Sequence, residues 1–263
     1  MIDEETLVGL SGHLRDVRQL ERDYLLVLLL HEIYSVFTNE LIFKGGTALR
    51  YLHNLNRFSE DIDFSYAYTS SDEARKHLNS GINVALDRLN DQYEVVERES
   101  RATKAADRVV GINYEIRVRG PLNKRSGNLQ NINIDLSLRN DVLHKPEPSY
   151  ITPIYPDIAT LSLPVMEINE MLAEKISAVA KRVKMRDIYD IYYLLVIKKL
   201  KYNEKLVEEK MRRRAETFKK EDLAKNLNTA TSKMKWKSEL AYLVDPLPDN
   251  LKVVSELKKI IGL

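Results

Sequence analysis

The sequence predicts an α+β fold, with a mixed-sheet N-terminal domain over residues 1–160 and a helical C-terminal domain over 161–263. Three observations predict it. Between residues 41 and 138, short alternating segments are separated by glycine turns and helical stretches. Five prolines (Pro146, Pro148, Pro153, Pro156 and Pro164) then crowd one span, where they cannot donate to a central ladder. From Glu167 almost to the end, the apolar period is helical.

Residues 5–38 read as helical, the N-terminal helices of the first domain, with Leu20, Tyr24, Val27, Leu28 and Ile33 on a broad apolar stripe. Leu41-Ile42-Phe43-Lys44 reads as a short strand ending in Gly45-Gly46, after which Thr47 can cap a helix through Leu52. Residues Ser59 to Tyr66 alternate as a strand. Ser70 and Glu73 form a capping box ahead of a helix to about Leu89. Residues 93–98 and 109–119 are further strands. In Asn131–Leu138, the last clear strand, Ile132, Ile134, Leu136 and Leu138 share one face, and Asn133, Asp135 and Ser137 the other. The proline-rich span marks the domain boundary. Beyond it, Ile168, Leu172, Ile176, Val179 and Val183 make one helical face, and Ile188, Ile191, Tyr192 and Leu195 the next.

At 263 residues and 44% hydrophobic content, the chain can fill a substantial core. With no cysteine and only five scattered histidines, thiolate chemistry is excluded and a zinc site is disfavoured. Chemistry must then run on carboxylates, hydroxyls, lysines or those histidines. The longest apolar run, Leu25–Leu30, is far short of the roughly 20 residues that span a bilayer, and no leader is evident. A cytoplasmic location without membrane contact is expected. Residues 1–166 hold 19 Lys and Arg against 24 Asp and Glu, and the remainder 22 against 15. A basic second half can steer phosphate-rich ligands.

Asp61 and Asp63 lie two apart on a strand, so they share a face about 7 Å apart. Left alone, two such carboxylates repel; a bound Mg²⁺, with Mn²⁺ as the alternative, removes the conflict. Upstream, Gly45-Gly46 lets backbone approach a phosphate at a helix start. Downstream, Asp135 can supply a third carboxylate. Each feature alone is an ordinary turn or solvated strand residue; their order makes a narrower pattern. In the second half, Lys175, Arg182 and Arg186 fall within about 40° of one another if the helix continues, making either a phosphate clamp or a solvated face. Asp187 and Asp190, at i and i+3, either pair with those arginines or point into a cleft. Tyr189, Tyr192 and Tyr193 are base-stacking residues or core. Arg212-Arg213-Arg214 with Lys219-Lys220, and Trp236 between two lysines, are RNA contacts or solvated helix surface.

The segments Phe43-Lys44-Gly45-Gly46-Thr47-Ala48-Leu49 and Arg57-Phe58-Ser59-Glu60-Asp61-Ile62-Asp63-Phe64 resemble the opening motif of the AbiEii and MenT-like toxins of toxin–antitoxin systems, within the DNA polymerase β-like nucleotidyltransferase superfamily. Ala173-Glu174-Lys175 and Arg186-Asp187-Ile188-Tyr189-Asp190 are similar to that family's second block. The resemblance implies a nucleotidyltransferase acting on a nucleoside triphosphate, with tRNA as acceptor and a cognate antitoxin as partner. It implies Gly45 and Gly46 at the triphosphate, Asp61 and Asp63 at the metals, Lys175 at the phosphates and Asp187 or Asp190 for orientation. Many superfamily members carry Gly-Ser where this chain has Gly45-Gly46, which leaves Thr47 as the source of any hydroxyl contact. A protein or small-molecule acceptor, and a nucleotide-binding module without turnover, are the competing readings.

Overall fold

The computed structural model describes every residue except 11, 13–15 and 123–128. The fold is α+β, with a seven-stranded mixed sheet and ten α-helices among the described residues. The chain divides into two compact units. The first comprises residues 1–52, 60–140 and 147–165; the second comprises 53–59, 141–146 and 166–263.

In the first unit, the helical stretch expected over residues 5–38 is two helices. Helix α1 (Glu4–Gly9) is capped by Asp3 and α2 (Val17–Val36) by Asp16, whose carboxylate accepts from the Arg18 N–H at 2.8 Å. Gly12, at φ +118°, lies in a region closed to ordinary helix and separates them. Strand β1 (Leu41–Lys44) runs straight into α3 (Gly45–His53). Next come β2 (Asp61–Tyr66), α4 (Asp72–Gln92), β3 (Val95–Ala105), β4 (Arg108–Val118) and β5 (Gln130–Ser137). The α4 cap is Ser71, one residue beyond the expected Ser70; its hydroxyl accepts from Ala74 N–H at 3.0 Å.

Two further strands, β6 (Glu147–Ile151) and β7 (Leu161–Val165), lie inside the proline-rich span. The prolines are accommodated because Pro148 and Pro164 face each other in register, so both missing donors fall on one rung, and β6 is an edge strand. The strand order is β3-β4-β5-β2-β1-β7-β6, with β2/β5 and β1/β7 parallel and the other pairs antiparallel. Ile62, Phe64, Ile132, Ile134, Leu136 and Ile116 are buried on one face, where α2 and α4 pack. The alternate positions of the same strands form the polar face.

Helix α3 is held to α2 by one buried carboxylate. Asp23 accepts from Tyr51 at 2.7 Å and Tyr155 at 2.6 Å and pairs with Arg50. A charge-assisted cluster of this kind fixes both helices more tightly than apolar packing alone.

The second unit is built on α5 (Ile168–Lys181), followed by α6 (Met185–Tyr192), a π-helical turn (Tyr193–Ile197), α7 (Glu204–Arg213), α8 (Lys220–Asn228), α9 (Lys233–Leu240) and α10 (Asn250–Ile261). Trp236 is buried and donates to the Pro248 carbonyl at 3.0 Å, so it is core and not an RNA contact. Tyr189 and Tyr193 are buried as well, and their hydroxyls donate to carbonyls of the 53–56 segment. Lys210 is fully buried, with Glu170 at 2.8 Å, Glu174 at 3.1 Å and the Asp141 carbonyl at 2.6 Å. Arg214 pairs with Asp141 and Glu174. That pairing takes Arg214 out of the surface cluster, leaving Arg212 and Arg213 exposed.

Candidate functional site

The first unit brings the glycine turn and the aspartate strand together. β1 and β2 pair antiparallel with Lys44 opposite Asp63, so the end of β1 delivers Gly45 beside the Asp63 side chain. A Cβ built on Gly45 would lie 2.0 Å from Asp63 Oδ2, and the residue sits at φ +77°. Both facts demand glycine. The carboxylate therefore rests against the first residue of α3, where helix N–H groups have no intrahelical acceptor.

Thr47 does not present its hydroxyl at the turn. It is fully buried, and its hydroxyl donates to the Asp61 carbonyl, bracing β2 against α3. Asp61 and Asp63 lie on the same face, both partly exposed. In β5, Asn133 stands opposite Asp61 and Asp135 opposite Asp63. Asn133 donates to Asp61 Oδ1 at 2.9 Å, and Asn113 of β4 donates to Asp135 Oδ1 at 2.9 Å. Among the described residues, no group of three or more His, Asp or Glu side chains converges as a ready-made metal cage. Two carboxylates completed by substrate phosphates is the arrangement magnesium accepts, and hard oxygen donors sharing one face fit that ion.

The second unit holds Lys175, Asp187 and Asp190 in one ion cluster. Lys175 Nζ is 2.8 Å from both Asp187 Oδ1 and Asp190 Oδ2. Arg57, which carried no expectation of its own, grips fully buried Asp190 with both arms of its guanidinium, Nε to Oδ1 at 2.6 Å and Nη2 to Oδ2 at 2.8 Å. Its remaining arm donates to the Phe58 carbonyl at 2.9 Å. The expected basic stripe is not formed. α5 stops at Lys181, Arg182 is extended, and a new helix begins at Met185, so helical spacing does not carry from Lys175 to Arg186. Arg182 instead approaches Asp187 Oδ2 at 3.5 Å.

Burial works against the charge on Lys175, but Asp187 and Asp190 outweigh it and raise its pKa, so it stays an ammonium. Burial likewise opposes the Asp187 carboxylate, but Lys175, with Arg182 and Arg57 behind it, reverses this and holds its pKa at about 2, against an ordinary 3.8. A depressed carboxylate stabilises the fold fully above its unfolded pKa and loses that contribution as the pH falls through its folded value. Wild type should therefore exceed Asp187→Asn by about 2 kcal/mol above pH 4, with the gap closing as the pH approaches 2. Urea-unfolding midpoints of the two proteins across that range check this; a gap independent of pH would contradict it.

The model of the AbiEii family, described as a nucleotidyl transferase toxin of type IV toxin–antitoxin systems, matches residues 28–258. The chain belongs to the AbiEii family. This AbiEii protein is a nucleotidyltransferase, and the match spans both the glycine turn and the Lys175 cluster. Among solved structures, the MenT4 nucleotidyltransferase toxin Rv2826c of Mycobacterium tuberculosis is similar at 19% identity and a TM-score of 0.61, over 98% of this chain and 88% of that one. JHP933 of Helicobacter pylori is similar at 19% identity and a TM-score of 0.56, over 93% and 90%. These likenesses concern the fold. No curated protein sequence matches. Among the described residues, no helix of the AbiEii chain is long and apolar enough to cross a membrane.

Proposed function

We propose that this AbiEii protein is a magnesium-dependent enzyme that moves a nucleotidyl group from a nucleoside triphosphate to RNA, with tRNA as the acceptor, in the cytoplasm and under the control of a cognate antitoxin. The observation that carries the reading is the abutment of Gly45 on Asp63, which sets a helix start beside the carboxylate strand. The basic second half is compatible with an RNA acceptor.

Asp61 and Asp63 would hold the magnesium, or manganese in its place, with Asp135 opposite Asp63 as the third carboxylate. When bound, the metal supplies positive charge to the reacting phosphate. Gly45 and Gly46 admit the triphosphate to the first N–H groups of α3. Thr47 holds β2 at its distance from that turn. Lys175, kept cationic, offsets phosphate charge, with Arg182 and Arg186 as further positive groups, and Asp187 and Asp190 orient its ammonium. An acceptor hydroxyl oxygen bonds to the α-phosphorus while the bond to the β-phosphate oxygen breaks. Pyrophosphate leaves with that electron pair, and the hydroxyl proton passes to water.

The test is incubation with an α-labelled triphosphate and total tRNA. Label should appear on RNA, with one pyrophosphate released per transfer, in magnesium but not in excess chelator. Metal-dependent nucleotide binding without pyrophosphate from any RNA, protein or small-molecule acceptor would defeat the reading.

A further inference from the structure

Asp61, Asp63 and Asp135 each have a neutral group set against them. For Asp63 it is Gly45, whose missing side chain leaves room for the carboxylate. For Asp61 and Asp135 it is an asparagine, and the two pairs share one construction. Asp61 on β2 is directly opposite Asn133 on β5, and Asp135 on β5 is directly opposite Asn113 on β4. In both pairs the amide donates to Oδ1 at 2.9 Å, and in both the asparagine stands one strand farther from β1 than its acid. Directly paired residues point to one side of a sheet, so both amides lie on the face of the carboxylates.

The fold has little need of these bonds. Asn113 and Asn133 are half-buried and Asp135 is exposed, and a hydrogen bond open to water adds little to stability because water replaces either partner. What the amides supply is direction. An aspartate on an open strand samples several rotamers, and a bound cation must freeze one of them. A carboxylate has about four acceptor sites, so one bond to an amide sets its plane and leaves room for a metal.

The choice of amide follows from charge. A lysine or arginine at 113 or 133 would orient the acid equally well, but its own charge would compete with an incoming cation. An asparagine orients without adding charge. Asp23 and Asp190, which brace the fold, are by contrast gripped by Arg50 and Arg57.

We propose that Asn133 and Asn113 are positioning residues for the metal: Asn133 sets the carboxylate of Asp61 and Asn113 that of Asp135, so both acids meet a divalent cation already oriented. The proposal rests on the magnesium-site reading above. Its test is manganese binding to the full chain without nucleotide, followed by loss of the free-ion electron paramagnetic resonance signal. Asn133→Ala and Asn113→Ala should each weaken manganese about tenfold, the lower end of what losing an outer partner costs a metal site. Their urea midpoints should stay near that of wild type. Asn131→Ala, the same substitution two residues along β5 and on the same face, should bind as wild type does. Unchanged affinity in both asparagine variants, an equal loss in Asn131→Ala, or a urea midpoint that falls with the affinity would overturn the assignment. A loss in only one variant overturns the role of the other asparagine. Asp63→Ala separates the two readings. Wild type that binds no manganese, or an affinity that survives in Asp63→Ala, defeats the carboxylate site itself, whereas affinity lost in Asp63→Ala but kept in both asparagine variants overturns only the positioning role.

Discussion

Gly45→Ala should lower nucleotidyl transfer at least about a hundredfold, the usual consequence of misplacing a reacting group by about 1 Å, while leaving the chain folded. The added methyl would stand 2.0 Å from Asp63 Oδ2 and 2.6 Å from its Cγ, so the carboxylate must rotate away or β2 must shift. The backbone at φ +77° adds strain of about 1–2 kcal/mol for a residue with a Cβ. That cost is a fraction of ordinary domain stability, so circular dichroism and the urea midpoint should change little beside the loss in kcat/KM. A variant with near-normal turnover would remove the Gly45–Asp63 approach from the mechanism.

Arg57→Ala should cost about 3–5 kcal/mol of stability, because it strips the guanidinium from a carboxylate that has no access to water. Asp190 is fully buried, and without Arg57 it is left to Lys175, which is already shared with Asp187. Arg57→Lys keeps the charge but not the two-armed grip, so it should fall between wild type and alanine. Adding Asp190→Asn to Arg57→Ala should recover part of the loss, because the unpaired charge is then gone. Urea titrations of wild type, these three variants and Asp190→Asn alone measure this. Additive effects of the two substitutions would show that the pair is not coupled.

The polar and apolar alternation of β2 and β5 could be read directly, because a strand with one covered face writes its burial into every second residue. The pairing of Asp63 with Asp135 could not, since register across a parallel pair is set by the intervening helix and hairpin. The strands β6 and β7 were hidden by their own prolines: a rule about single strands says nothing of two prolines meeting on one rung. The break after Lys181 was invisible because no glycine or proline marks it and the apolar period runs on to Val183. Arg57 gave no signal at all. A lone arginine in a short connection looks like any solvated one, and the carboxylate that explains it is 133 residues away.

The chain enters the second unit twice, through residues 53–59 and 141–146, before settling there at 166. Those short visits deliver Arg57 to Asp190 and Asp141 to Lys210 and Arg214. The helical unit is therefore not a segment that scissors can release. A fragment beginning at 166 would keep a buried aspartate and a buried lysine but lose groups that neutralise or solvate them. Gene splitting, domain swapping or circular permutation in this protein must carry both loops along with the helices.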